Sequence, residues 1–450
     1  MIRTIKALMN SFKIPDLRQR ILFTLALIAV YRLGCFIPIP GINSEALAQF
    51  FANVTNQQGG TLFDIMDLFT GRALSQMTIF ALGIMPYISS SIIMQLLTVV
   101  IPQLEKLAKE GSDYGRKKIM QYTRYGTVGL ALFQSFIISV YLEDPAHFMG
   151  LSIVEHGGWG FRLLTIITLT SGTAFIMWLG EQITERGIGN GMSILITIGI
   201  VSRLPTALRF VWQMISPFSP ENRQIEPYTP VIMITLFVAV IVFVVLITEG
   251  QRRIPVEYAK RIVGRKVYGG QSTYIPLRVN HSGVIPIIFA QSIILFPATI
   301  GQFVPKLQQF AEALMRGNWL YTLVYSLLII FFAYFYTAVT FNTQDVAQNM
   351  KKYGGFIPGI RAGKPTAEYL DYVLTHITLP GAIFLAIIAV TPDGIMAWLK
   401  VPYLVASFFG GTGLLIIVGV MLETMRQIES HLLMRHYEGF MKKGHLRGRR

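Results

Sequence analysis

The stretch Gly83-Ile84-Met85-Pro86-Tyr87-Ile88-Ser89-Ser90-Ser91-Ile92-Ile93-Met94-Gln95-Leu96-Leu97 sets a proline, three serines and a glutamine inside a long apolar segment. A helix built only to face lipid has no use for them. At helical spacing Ile84, Ile88, Ser91 and Gln95 share one face, so a single stripe passes from branched apolar to polar side chains. Two readings fit: a helix bordering a partly wet path, and a proline-kinked span whose small residues pack against neighbours.

The chain around this stretch has 450 residues, 52% of them hydrophobic and 14% charged, which excludes a soluble domain of this size. It reads as an all-α polytopic membrane protein. Windows of roughly 20 apolar residues, enough to cross about 30 Å of hydrocarbon, begin near 21, 75, 119, 161, 191, 230, 282, 319, 377 and 403. Ten spans with both termini on one side follow. The first apolar run starts at Ile21 and meets Arg32 and Pro38 instead of a small-residue cleavage site, so it is expected to remain as a span. The lone Cys35 leaves no internal disulfide and reads as packing.

Charge orients the spans. With the N-terminus inside, the inner segments 1–20, 102–124, 186, 252–278, 351–364 and 426–450 hold 30 of the 39 Lys and Arg. The positive-inside rule then puts both termini in the cytoplasm and nearly all of the formal +15 charge on the inner face. Part of that charge anchors the chain against anionic lipid. Two inner loops ask for more. Residues about 249–281 mix Arg252, Arg253, Lys260, Arg261, Arg265 and Lys266 with Tyr258, Tyr268 and Tyr274, and the loop is far longer than a connection needs. Residues about 341–376 carry a turn-rich basic tip with Gly359, Arg361, Gly363, Lys364 and Pro365. Both suit docking to a large acidic partner, such as ribosomal RNA or an acidic protein surface.

Residues 1–20 place Ile5, Leu8, Met9 and Phe12 near helical spacing beside Lys6 and Lys13, the pattern of a short amphipathic helix on the inner surface that Pro15 ends. Residues 61–72 are apolar enough to enter the membrane and too short to cross it. They read either as a re-entrant half-helix inside protein or as an outer helix lying flat. Asp64, Asp67 and Arg72 there are placed to pair locally or with a surrounding wall.

An internal echo links Gly83-Ile84-Met85-Pro86-Tyr87-Ile88 to Gly283-Val284-Ile285-Pro286-Ile287-Ile288, in spans two and seven. A five-plus-five duplication makes those spans equivalent and oppositely oriented, which favours a central path. Catalytic signatures are absent: no GxxxxGK[ST], HExxH or GxSxG occurs. Gly187-Ile188-Gly189-Asn190-Gly191 lies between two spans and reads as a tight connection instead of a phosphate cradle. Intramembrane charge is scarce, with Arg32 the main example, which argues against a proton-coupled solute transporter.

The motifs GIMPYISSSIIMQLL at 83–97, ERGIGNGMSI at 185–194, GVIPIIFAQSIILFPATI at 283–300, GGFIPGIRAG at 354–363 and GGTGLLI at 410–416 closely resemble the SecY family, the central subunits of protein-translocation channels. The likeness runs through almost the whole chain. It implies two inverted five-helix halves, 21–213 (spans 1–5) and 230–423 (spans 6–10), around a central hourglass pore, followed by a basic cytoplasmic tail at 424–450. It implies a pore ring of Ile84, Ile88, Ile196, Ile285, Ile288 and Ile416. It also implies a lateral gate at Ser89, Ser91 and Gln95 on span two and Gln291, Ser292 and Phe296 on span seven.

The same resemblance makes 61–72 the plug, with Leu62, Phe63, Asp64, Ile65, Met66, Asp67, Leu68 and Phe69 within it. Arg361 takes the position of the family's key cytosolic arginine, with Lys364, Arg253, Arg261 and Lys266 as further docking residues. The family implies a gated channel, not an enzyme, without cofactor, in the bacterial inner membrane. Its expected partners are SecE, SecG, the SecA motor, the ribosome, signal peptides and nascent chains, and anionic lipids. The reading kept beside it is a secondary transporter of a small solute built on inverted repeats.

Overall fold

The computed structural model describes residues 14–55, 67, 70–109, 113–148, 150–215, 229–258, 261–263, 266–268, 272–303, 313, 318–399, 401 and 403–443. The amphipathic segment expected at the N-terminus lies outside them, except for its last residues. Two compact units divide the chain: Met1–Gln224 with Pro402–Val405 and Ile416–Arg450, and Ile225–Val401 with Ala406–Leu415.

In the first unit α1 (Pro15–Gly34) starts before the apolar run does. Pro15 opens the helix, where its missing N–H breaks no bond. Asp16 in the first turn and Arg32 in the last complement the helix dipole. α2 (Ser44–Thr55) is capped by Asn43, whose Oδ1 accepts from the N–H groups of Glu45 and Ala46, both at 3.1 Å.

The span expected from about 75 becomes helical only at α3 (Met85–Val100). From 71 to 84 the chain is a succession of turns. Irregular backbone among apolar side chains needs partners for every N–H and C=O. The residues after α1 provide them: Ile39 N–H donates to Met77 O at 3.0 Å and Ile79 N–H to Ile37 O at 3.0 Å, around a bridge between Pro38 and Thr78. Leu74, Met77, Ala81 and Leu82 are buried there in one core with Ala131, Leu142, Phe161 and Leu169. At the far end of α3, Ile101 is extended (φ −97°, ψ 113°), as a residue before proline prefers, and α4 (Pro102–Lys109) leaves at 104°.

α5 (Asp113–Glu143) and α6 (Trp159–Arg186) run along each other, with Ser135 and Thr170 hydroxyls 3.3 Å apart across the seam. α7 (Gly191–Val201) and α8 (Leu204–Ile215) follow.

The second unit opens on α9 (Thr229–Glu249). The long basic loop after it is β structure, which periodicity had not suggested. β1 (Gln251–Tyr258) pairs antiparallel with β4 (Ser272–Arg278), and the short strands β2 (Arg261–Val263) and β3 (Lys266–Tyr268) pair between them. α10 (Ile285–Phe303), α11 (Trp319–Thr340) and α12 (Thr343–Lys352) come next. β5 (Gly355–Phe356) then adds to β1, giving the order β4-β1-β5. Ile254 and Val256 alternate inward with Arg253, Pro255 and Glu257 outward. The buried pair packs on Leu277, Met350, Leu370, Val373 and Leu374, each apolar side chain contributing roughly 1.5–3 kcal/mol.

α13 (Lys364–Leu399), α14 (Tyr403–Phe409) and α15 (Thr412–Lys443) complete the chain. Among the described residues seven helices are long and apolar enough to cross a membrane, and the bent pair α3 and α4 makes an eighth. α1 and α10 occupy the remaining two expected positions.

Candidate functional site

The echoed motif takes the same form in each unit. Gly83 (φ 55°) precedes a helix that begins at Met85, with Pro86 second; Gly283 (φ 63°) precedes a helix that begins at Ile285, with Pro286 second. Both turns need a backbone that L side chains rarely adopt.

On α3 the three serines separate. Ser90 is buried and donates to Thr123 O on α5 at 2.8 Å, so it belongs to the packing seam. Ser89 and Ser91 are only half-buried, and Gln95 donates to the Ser91 hydroxyl at 3.4 Å. Ile84, at the helix start, and Ile88 are buried. On α7, Ile196 is buried, and the start of that helix is held by Asn190, whose Oδ1 accepts from Ser193 N–H at 3.2 Å.

The glycine-rich connection before α7 has its N–H groups engaged by protein: Ile188 with Thr24 Oγ1 at 3.2 Å, Gly189 with Gln427 Oε1 at 2.8 Å, and Gly191 with Thr184 Oγ1 at 2.9 Å. Nothing is left over to hold a phosphate through those three groups. Ile416, on α15, is fully buried.

On α10, Ile285 is the first helical residue and half-buried, Ile288 is buried, and Phe296 lies further along the same helix. Ser292 is buried and donates to Ile288 O at 2.8 Å, within its own helix. Gln291 differs: it is 3% exposed, and among the described residues neither amide atom has a hydrogen-bond partner. A buried amide without a partner is costly and marks a place where something polar belongs.

Of the expected plug, Leu62, Phe63, Asp64, Ile65, Met66, Leu68 and Phe69 lie outside the described residues. Asp67 is buried and ion-pairs with Arg203, which follows α7, at 2.9 Å; its other oxygen accepts from Ser75 N–H at 2.8 Å. Sequence reading missed Arg203. Arg32 Nη1 donates to Gly71 O at 3.3 Å, and a Cβ on Gly71 would stand 2.9 Å from Gly199 Cα, so this backbone lies directly on α7.

On the basic loops, Arg253 projects outward from β1, its guanidinium 4.8 Å from the Tyr274 ring centroid. Arg261 lies on β2 and Lys266 on β3. Arg361 and Lys364 are exposed; Thr366, itself buried, donates to Arg361 O at 2.8 Å and so fixes the root of the tip. Lys364 is 3.9 Å from Glu368, both far out in solvent. Between β4 and α10, His281 sets its ring edge against Phe341, and burial first, then the Arg278 charge, lowers its pKa. Among the described residues no three His, Cys, Asp or Glu side chains gather as metal ligands.

The elements and sites define a multi-pass helical membrane protein with a folded basic head between membrane helices. The SecY family model matches residues 78–425. The chain is 49% identical to the protein translocase subunit SecY of Streptomyces galbus, over 97% of this chain and 99% of that one. It is 44% identical to the SecY of Chlamydia trachomatis, over 97% and 98%. The chain belongs to the SecY family.

Solved structures agree on the fold. One described as a protein-conducting channel superposes with a TM-score of 0.64 at 18% identity, covering 94% of this chain and 96% of that one. Sec61 in a canine ribosome-channel complex gives 0.59 at 17% identity, covering 94% and 96%.

Proposed function

We propose that this chain forms the polypeptide path of a protein translocase, passing unfolded secretory chains across the membrane and releasing apolar segments sideways into lipid. The observation that carries the reading is SecY-family membership across residues 78–425. The full-length identity to translocase subunits disfavours the small-solute transporter. The chain is a channel-family member, not an enzyme as such, and any ATP or GTP turnover is assigned to its partners.

The pore ring is assigned to Ile84, Ile88, Ile196, Ile285, Ile288 and Ile416. Branched aliphatic side chains resist wetting and offer a passing chain no strong hold. Lateral-gate roles fall to Ser89, Ser91 and Gln95 on α3 and to Gln291, Ser292 and Phe296 on α10. Interhelical hydrogen bonds in membranes are worth only about 0.6–2 kcal/mol, so a gate relying on them yields to an apolar signal helix. The plug is assigned to 61–72, and the halves to 21–213 and 230–423 with the tail at 424–450.

Orientation follows the basic loops: both termini cytoplasmic, in the bacterial inner membrane. Relatives in solved complexes with ribosomes support the ribosome as a partner at Arg361, Lys364, Arg253, Arg261 and Lys266. SecE, SecG, SecA and anionic lipids complete the proposed set. The test is reconstitution in vesicles with the motor, ATP and a signal-bearing substrate, reading protease-protected polypeptide. Solute uptake without any protected polypeptide overturns the reading.

A further inference from the structure

At the C-terminal end of α1 a cavity of about 240 Å³ opens within the first unit, and each of its three walls carries an arginine. Arg32 comes from α1, Arg72 from the turns that follow residue 70, and Arg209 from α8. Gln76, Ser202 and Thr206 add uncharged polar groups, and among the described residues no carboxylate lines the space.

Asp67, whose carbonyl accepts from Arg72 N–H at 3.3 Å, has its carboxylate oxygens engaged by Arg203 and by Ser75 N–H. Arg32 is held by neutral groups, the Gly71 carbonyl and the Phe36 ring 5.5 Å away. Arg72 keeps a left-handed backbone (φ 76°), pinned by Ser75 Oγ and Gln76 N–H donating to its carbonyl at 3.1 and 3.2 Å. Three guanidinium groups around one small cavity repel one another, and an anion seated among them turns that repulsion into attraction. The planar fork of arginine matches phosphate oxygens in pairs.

We propose that this cavity binds a phosphate-bearing anion. Phe36, which lines the cavity, is 63% exposed, and Leu33 and Ile37, each next in sequence to a lining residue, are 69% and 51% exposed. Apolar side chains open at the rim of a basic cavity suit the acyl part of a phospholipid, which makes an anionic lipid headgroup the favoured source over free phosphate.

The test uses the full chain purified in detergent. Native mass spectrometry compares retention of phosphatidylglycerol with phosphatidylcholine, and thermal unfolding is read with and without inorganic phosphate. In both, the unmodified chain is set against Arg72→Gln/Arg209→Gln. The expected result is selective phosphatidylglycerol retention that the double variant weakens about tenfold. A phosphate-dependent thermal shift without lipid retention, lost in the variant, supports the site with free phosphate as its source. Equal lipid retention and an equal phosphate response in chain and variant overturn the proposal. Should the double variant fail to fold, Arg209→Gln alone, on the exposed face of α8, is read by the same criterion.

Discussion

Asp67 and Arg203 form an ion pair at 2.9 Å with side chains only 2% and 13% exposed. The pair joins the segment before the turns at 71–84 to the residue that leads from α7 into α8. Removing one partner of a buried pair leaves a charge without compensation, which costs about 3–5 kcal/mol. Asp67→Asn and Arg203→Gln are each expected to lower stability by that order in denaturant unfolding and to raise ion leak in reconstituted vesicles. The double variant is expected to cost less than the two single effects together. Strict additivity would show that the two residues act separately.

Ile88 and Ile416 are buried, and branched. Asparagine at either position is expected to loosen the closed channel and admit substrates with defective signals. Vesicle translocation of a signal-defective substrate measures it, and unchanged selectivity in both variants removes them from the ring.

Gln291→Leu replaces a buried amide that has no described partner with an apolar side chain of similar size. The desolvation penalty of such a group is about 1–3 kcal/mol. The variant is expected to be more stable in thermal unfolding and slower in translocation, because the form in which the side chain is buried gains most. A crosslink from position 89 or 296 to an apolar signal segment, present in the parent chain and reduced in the variant, ties that slowing to the gate.

Arg361 is exposed, and its carbonyl accepts from the Thr366 hydroxyl. Arg361→Glu is expected to leave thermal stability within about 0.5 kcal/mol, as surface changes do, while ribosome and motor binding falls severalfold in sedimentation assays. Lys364→Glu, beside Glu368, is expected to do less.

Burial, and after it the Arg278 charge, holds the His281 pKa below its ordinary value. The unfolded chain takes up this proton near the ordinary value of about 6.5, whereas the folded chain does so only lower. Stability is therefore present above that value and is lost as pH falls through the window below it. His281→Gln is expected to flatten the acid limb of a stability-against-pH curve; an unchanged slope would sink the assignment.

The membrane helices were legible because lipid demands long apolar runs. Helix α3 was legible in part: Ile84 and Ile88 are buried and Gln95 donates to the Ser91 hydroxyl, but Ser90 belongs to the α3–α5 seam, which no one-dimensional pattern separates from its neighbours. The start of α3 was misplaced because residues 75–84 are as apolar as a span, and only pairing with residues 37–39 lets them be turns. The β head stayed hidden because arginines and tyrosines masked a two-residue alternation at Ile254 and Val256. Arg203 was missed for a different reason: an ion pair between residues far apart in sequence leaves no local trace.

The hairpin of β1 and β4 is closed at its root, where Val279 N–H donates to Gly250 O at 2.9 Å and a Cβ on Gly381 would press within 2.6 Å of Val279 O. Only residues 279–284 then separate the strands from α10. So short a tether limits how far the head can move without moving the first turn of α10. The head is placed as a handle: a partner gripping it would have mechanical leverage on that helix.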